Sequence, residues 1–231
     1  MNREYITCHD GGQISLDWYA PDKNDQTNSE SDSPSTSHSA NYNDKPIAIF
    51  FPGLTGDSQA EYVKSLVPIA DELGYRAVVF NNRGRGNMRL LTPRLYCASN
   101  FDDMKYTFEY LRANNPNAKI VATGISLGGI LLARYLIYSG HNSIVDASML
   151  ISVCWELLEG CANLEKPGLN YALNQHLTRS LCSVVENNKE IFQQIPVLNI
   201  DEILQSKCLR EFDERFTIKM WGFKTVRDYY S

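Results

Sequence analysis

Apolar residues fall along this chain in short blocks whose spacing changes from one block to the next. Between Tyr5 and Tyr19, Ile14, Leu16 and Trp18 alternate with polar residues behind Asp10-Gly11-Gly12, which predicts a β-hairpin with a glycine turn. Ile47 to Phe51 is an unbroken apolar run of strand length that ends at Pro52-Gly53. Similar runs follow at Arg76 to Phe80, Ile120 to Thr123 and Ala147 to Val153. The segments between them carry helical spacing. Ser58 predicts a cap for a helix with Tyr62, Leu66, Ile69, Ala70 and Leu73 on its inner face, closed by Gly74. Ser99 or Asn100 predicts the start of a second helix, with Asp102 and Asp103 at its positive end, running to Arg112 and stopping before Pro116. A third runs from Ile130 to Tyr138 and ends at Gly140.

Strand and helix therefore alternate, and the strands are apolar throughout. That is the signature of an α/β fold with a mostly parallel sheet covered by helices on both faces. After Glu156 the strand pattern ceases. Leu169 to Val185 and Ile200 to Glu214 read as helices, which predicts a helical cap over 155–231 following a core over 1–154. Within that core, residues 22–45 are almost wholly Ser, Asn, Asp, Thr and Pro. They hold too little apolar surface to offset the entropy of ordering, so a disordered surface loop is expected, with regulation or modification as the functional alternative. No internal repeat is evident.

In such folds ligand chemistry gathers at the carboxyl ends of the strands. Gly124-Ile125-Ser126-Leu127-Gly128 lies there, after a predicted strand and before a predicted helix. Small residues at Gly124 and Gly128 allow a tight bend that lifts the Ser126 hydroxyl clear of the sheet as a nucleophile. An oxyanion formed by its attack needs two backbone donors. The Leu127 amide is one candidate. The loop Pro52-Gly53-Leu54-Thr55-Gly56 supplies the other, with Leu54 as the donor. The bland alternative is a glycine turn that only packs helix on strand.

A serine hydroxyl needs a base. The histidines are His9, His38, His141 and His176. His9 and His38 fall in the hairpin and the polar loop, His141 just past a helix, and His176 on what reads as a helix surface. Asp146, Asp201, Asp213 and Asp228 are candidate acids, but none ends a recognisable strand. The expectation is that this chain supplies the serine and stops before its base. Reactive-serine labelling of this chain alone is then expected to be weak.

The 231 residues suffice for one domain with a sizeable core, and a net charge of −5 gives no field for nucleic acid. Arg83, Arg85, Arg89 and Arg94 cluster locally, as a solvated loop or a lipid-facing basic patch. The six cysteines show neither CxxC nor metal-ligand spacing and read as small buried hydrophobes. No apolar run is long enough to span a membrane, and the start at Met1 lacks signal-peptide character. No metal or organic cofactor is implied.

Four segments together resemble the abhydrolase-domain proteins 1 and 3 and their bacterial and plant relatives. They are Pro52 to Gly56, Gly74 to Gly84, Cys97 to Asn100 and Gly124 to Gly129, with Arg210 to Thr217 in the cap as a fifth. The resemblance implies the α/β-hydrolase fold and a serine ester hydrolase of lipids, with Ser126 matching the family nucleophile. It also implies a membrane surface as a partner through an N-terminal anchor absent here, and Asp and His partners in last strands that this chain lacks. As it stands the chain is expected to be cytoplasmic or peripheral. The alternative is a truncated, non-catalytic lipid-binding module. Trp155, Leu157, Leu158, Leu169 and Tyr171 are expected either to line a greasy cleft or to pack in the core.

Overall fold

A computed structural model describes residues 1–20 and 44–231; the predicted polar loop lies almost wholly outside them. Six strands form one sheet in the order β1-β2-β4-β3-β5-β6. β1 (Asn2–Thr7) and β2 (Gln13–Trp18) form the hairpin, and β2 runs antiparallel to β4 (Arg76–Asn81). β3 (Ile47–Phe51), β4, β5 (Ile120–Ile125) and β6 (Ala147–Ile151) are parallel. Right-handed crossovers require helices between parallel neighbours. These are α1 (Glu61–Glu72), α2 (Asp102–Asn114) and α3 (Leu127–Ser139).

Successive side chains of β3 divide between two cores, as a pleated strand requires. Ala48 and Phe50 pack with Val63, Val67 and Ala70 of α1. Ile47, Ile49 and Phe51 join Met104, Phe108, Leu132 and Tyr135 from α2 and α3. The Phe51 ring lies 5.2 Å from Phe80 and 5.4 Å from Phe108, and Phe108 lies 4.6 Å from Tyr135. Each such side chain taken from water contributes about 2 kcal/mol. This apolar floor fixes the strand ends on which the site is built.

Several expectations need correction. The inner face of α1 is Val63-Val67-Ala70, whereas Tyr62, Ile69 and Leu73 are exposed. Ser58 does not cap this helix. It is buried two residues earlier, where its hydroxyl donates to Asp17 Oδ2 and its N–H donates to Asn81 Oδ1 at 2.8 Å. Asn100 does act at the start of α2, accepting from Asp102 N–H at 3.1 Å. β6 is largely exposed rather than sandwiched, having β5 on one side and no strand on the other among the described residues.

The helices after β6 are more broken than their periodicity suggests. α4 (Leu157–Leu164) and α5 (Leu169–Asn187) are regular. Beyond α6 (Lys189–Phe192), the expected single helix over 200–214 divides into α7 (Ile200–Leu204), α8 (Leu209–Phe212) and a π-helical turn, Asp213–Thr217. The side chain of buried Asn174 on α5 accepts from Leu209 N–H at 2.8 Å, which starts α8 afresh. α9 (Ile218–Trp221) and α10 (Val226–Tyr230) follow.

Of the arginine cluster only Arg89 is exposed; Arg83, Arg85 and Arg94 are drawn into ion pairs. The Arg83 side chain is 1% exposed and bridges Asp10 of the hairpin turn to Asp103 of α2, each at 2.7 Å. Arg94 adds a second bond to Asp10 at 2.9 Å. Gly12 is required beside it, because a Cβ there would lie 2.0 Å from Arg83 Nη1. The Arg83 hydrogen bond, helped by Gly12 N–H and Arg94 against the opposing effect of burial, holds the Asp10 carboxyl well below the usual range. A depressed carboxyl stabilises the fold above its unfolded pKa, about 3.9, and that contribution is lost as pH falls further. Thermal melts are expected to show stability dropping below about pH 4. Arg83→Met should cost about 3 kcal/mol near pH 7, because Asp103 loses its close partner and Asp10 keeps only Arg94 and Gly12 N–H, and should flatten the acid limb. An unchanged melting temperature at pH 7 would contradict this role.

Candidate functional site

β5 delivers Ser126 to the carboxyl edge of the sheet. Its backbone has φ 51° and ψ −115°, a conformation that costs a non-glycine residue about 1–3 kcal/mol. Three contacts hold it there. Ser126 N–H donates to Ile151 O of β6 at 2.8 Å, and Ser126 O accepts from Ile130 N–H at 3.0 Å, starting α3. The third contact is steric. A Cβ at Gly128 would lie 2.1 Å from Phe51 O, and one at Gly124 would lie 2.6 Å from Gly128 O. Neither atom can move without the backbone, so only glycine lets α3 pass this close to β3 and β5.

The same close approach brings the loop after β3 beside the serine. A Cβ at Gly53 would sit 3.2 Å from Ser126 Cβ. Leu54, Ser126 and Leu127 share one wall of a cavity of about 310 Å³. Neither the Leu54 nor the Leu127 N–H has an acceptor among the described residues; for Leu127 this is the ordinary state of a helix's first turn. A hydroxyl beside two unbonded backbone donors, at the positive end of a helix, is an arrangement suited to acyl transfer.

Helices α4, α5, α8 and α10 supply the opposite wall. Leu157, Leu164, Leu177 and Leu181 face the cavity with Phe212 and Phe216. Trp155 and Leu169 are instead exposed, and Tyr171 is also at the surface, so the expected greasy cleft draws on Leu157 but not on these three. Four of the cysteines are buried, and all six are free thiols. Burial pushes Cys161 and Cys182 up to about 11, so neither is a ready thiolate.

The histidines are elsewhere. His9 stacks edge-on against Tyr106 at 4.5 Å in the hairpin turn. His141 is exposed past the far end of α3, which is about 20 Å long. His176 is exposed on α5, and His38 lies outside the described residues. Asp146 sits by the opposite strand ends, bonded to Lys119 at 2.8 Å, while Asp201 and Asp228 are exposed. No described side chain hydrogen-bonds to Ser126 Oγ.

Asp213 is the acid that the structure brings into the cavity. It accepts from Thr217 Oγ1 at 2.5 Å and from Tyr230 OH at 2.6 Å, and Tyr230 in turn accepts from Cys161 Sγ at 3.1 Å. Asp213 retains partial surface exposure, yet its carboxyl is enclosed by this cluster and the apolar cavity wall. That burial pushes it up to about 6, with the two hydroxyl bonds opposing. The sequence holds one local sign of this, the Asp213–Thr217 spacing of four. The partnership with Tyr230 depends on the chain folding back. A raised carboxyl stabilises the fold while protonated, so stability should fall as pH rises from about 4, its unfolded value, through 6. Asp213→Asn is expected to remove this slope in thermal melts over pH 4–7. A mutant-to-wild-type difference independent of pH would contradict it.

Comparison with known proteins agrees with this architecture. The chain is 38% identical over 229 residues to a phospholipase, ABHD3, from Bos taurus, covering 99% of this chain and 52% of that one. It is 28% identical over 196 residues to a monoacylglycerol lipase from Saccharomyces cerevisiae, covering 80% and 42%. The chain thus spans about half the length of the curated relatives it matches. Among solved structures, a putative hydrolase from Agrobacterium vitis S4 aligns with a TM-score of 0.49 at 17% identity, covering 76% of this chain and 60% of that one. The model of the alpha/beta hydrolase fold matches residues 46–175, more than half of the chain and inclusive of both the β3 loop and the Ser126 bend, and the chain belongs to that family.

Proposed function

We propose that this chain carries the nucleophile and oxyanion site of a serine hydrolase acting on lipid carboxylic esters. The observation that carries the reading is the strained Ser126 lining an apolar cavity with Leu54 and Leu127, whose amides have no acceptor among the described residues. Names borne by relatives, a phospholipase and a monoacylglycerol lipase, agree with that cavity and point to a phospholipid or acylglycerol.

In this reading Ser126 Oγ attacks the acyl carbonyl carbon. The carbonyl oxygen becomes an oxyanion held by Leu54 and Leu127 N–H, and the hydroxyl proton passes to a base. The leaving alcohol takes a proton as its bond to carbon breaks. Water then attacks the acyl-enzyme, freeing the fatty acid and restoring the hydroxyl. The acyl chain lies among Leu157, Leu177, Leu181 and Phe212, beneath helices α4–α10 acting as a cap. None of His9, His141 and His176 lines this cavity. No helix among the described residues is long and apolar enough to cross a membrane. A lipid surface would be met through exposed Trp155, Leu169 and Leu173.

Added imidazole supplies a diffusible base and so tests the nucleophile directly. With p-nitrophenyl octanoate and imidazole, p-nitrophenol release should exceed the imidazole background. Intact-mass analysis should find an octanoyl group on Ser126. Ser126→Ala should return the rate to background and abolish the adduct. Acylation that persists in that variant, or none in wild type, would overturn the reading. Strong acylation without imidazole would show that a base is already within reach of Ser126.

A further inference from the structure

The turn that carries Leu54 is held by bonds that come from distant parts of the chain. It contains four backbone N–H groups, and three are occupied. Gly53 N–H donates to Tyr62 OH at 3.0 Å, Thr55 N–H donates to Tyr96 OH at 3.3 Å, and Gly56 N–H donates to Gly53 O at 2.9 Å. Leu54 N–H alone is left open. The turn is also strained: Thr55 has φ 65°, which is an outlier for a β-branched residue. Strain of this kind persists only where its surroundings over-determine it.

Arg85 completes those surroundings. Its guanidinium donates to Thr55 O and, at 3.2 Å, to Ser180 Oγ on α5, with Asp57 4.0 Å away. Its Nε is buried without a hydrogen-bond partner, a cost the side chain bears while making these bonds. A Cβ at Gly56 would lie 2.5 Å from Tyr62 OH, so glycine there admits the tyrosine to the turn. The carbonyl and N–H of Thr55 are thereby fixed, and the Gly53 carbonyl, which accepts from Gly56 N–H at 2.9 Å, sets the Gly53–Leu54 peptide that carries the Leu54 N–H.

We propose that Arg85, Tyr62 and Tyr96 are positioning residues that hold the Gly53–Gly56 turn with the Leu54 amide open to the oxyanion, and that Arg85 ties this turn to α5 through Ser180. The inference rests on the hydrolase reading above and deepens it. None of the three touches the reacting atoms in this scheme. Releasing the turn should weaken binding of a tetrahedral anion and leave binding of a neutral chain in the cavity unchanged.

The test compares two probes on the whole chain: octylboronic acid, which adds to a serine as a tetrahedral anion, and 2-decanone, its neutral counterpart. Arg85→Met and Tyr96→Phe are expected to weaken the boronate and slow octanoyl transfer to Ser126 by about 10- to 100-fold, somewhat less than deleting a donor outright. 2-Decanone affinity should stay at the wild-type value, and Arg85→Lys should recover part of the loss. Should Arg85→Met fail to fold, Arg85→Lys and Tyr96→Phe carry the same comparison. Equal losses for both probes, or no loss for either while wild type still forms its Ser126 adduct, would overturn the brace and leave the hydrolase reading intact. Absence of a Ser126 adduct in wild type would overturn both.

Discussion

The site depends on a backbone approach that admits no side chain. α3 crosses the ends of β3 and β5 so closely that a methyl group at Gly128 would stand 2.1 Å from Phe51 O. Together with the Ser126 hydrogen bonds to Ile151 and Ile130, this contact holds the bend at Ser126 and sets the β3 loop beside it. The bend costs about 1–3 kcal/mol, and the aromatic floor of Phe51, Phe80, Phe108 and Tyr135 offsets it many times over. Strain is affordable there because the strands beneath are among the best-packed parts of the molecule.

Two other layers build on that junction. On one side, the loop after β3 donates hydrogen bonds to Tyr62 OH and Tyr96 OH and accepts one from Arg85. On the other, helices α4, α5, α8 and α10 close an apolar cavity over the serine, with Asp213, Thr217 and Tyr230 as its polar corner. Arg85 spans the two, since it bonds both Thr55 and Ser180. Farther out, Arg83 locks the hairpin turn to α2 and so closes the antiparallel side of the sheet. Fold and site therefore share their arginines: one staples elements together and the other shapes a loop.

Much of this was legible in the sequence because it is local. Gly124 to Gly128 encodes a strand, a bend and a helix within a few residues, and the apolar runs encode a parallel sheet. What failed was whatever needed distant partners. Ser58 looks like a helix cap until Asp17, 41 residues away, takes its hydroxyl. The arginines look solvated until Asp10 and Asp103 converge on Arg83. The inner face of α1 was misread because Tyr62 and Ile69 carry as much apolar surface as Val63 and Val67, and only the sheet decides between the two stripes. Asp213 could be named as a candidate acid, but its burial depends on Tyr230 folding back from the last helix.

The central claim is that Leu54 and Leu127 N–H converge on one oxygen bound to Ser126. A crystal structure of the chain after reaction with an octyl fluorophosphonate, with imidazole present as the base, tests it most directly. The account predicts phosphorus on Ser126 Oγ, with one phosphonyl oxygen about 3 Å from both nitrogens and the octyl chain among Leu157, Leu181 and Phe212. A phosphonyl oxygen turned to solvent, with either amide pointing away from it, would contradict the account.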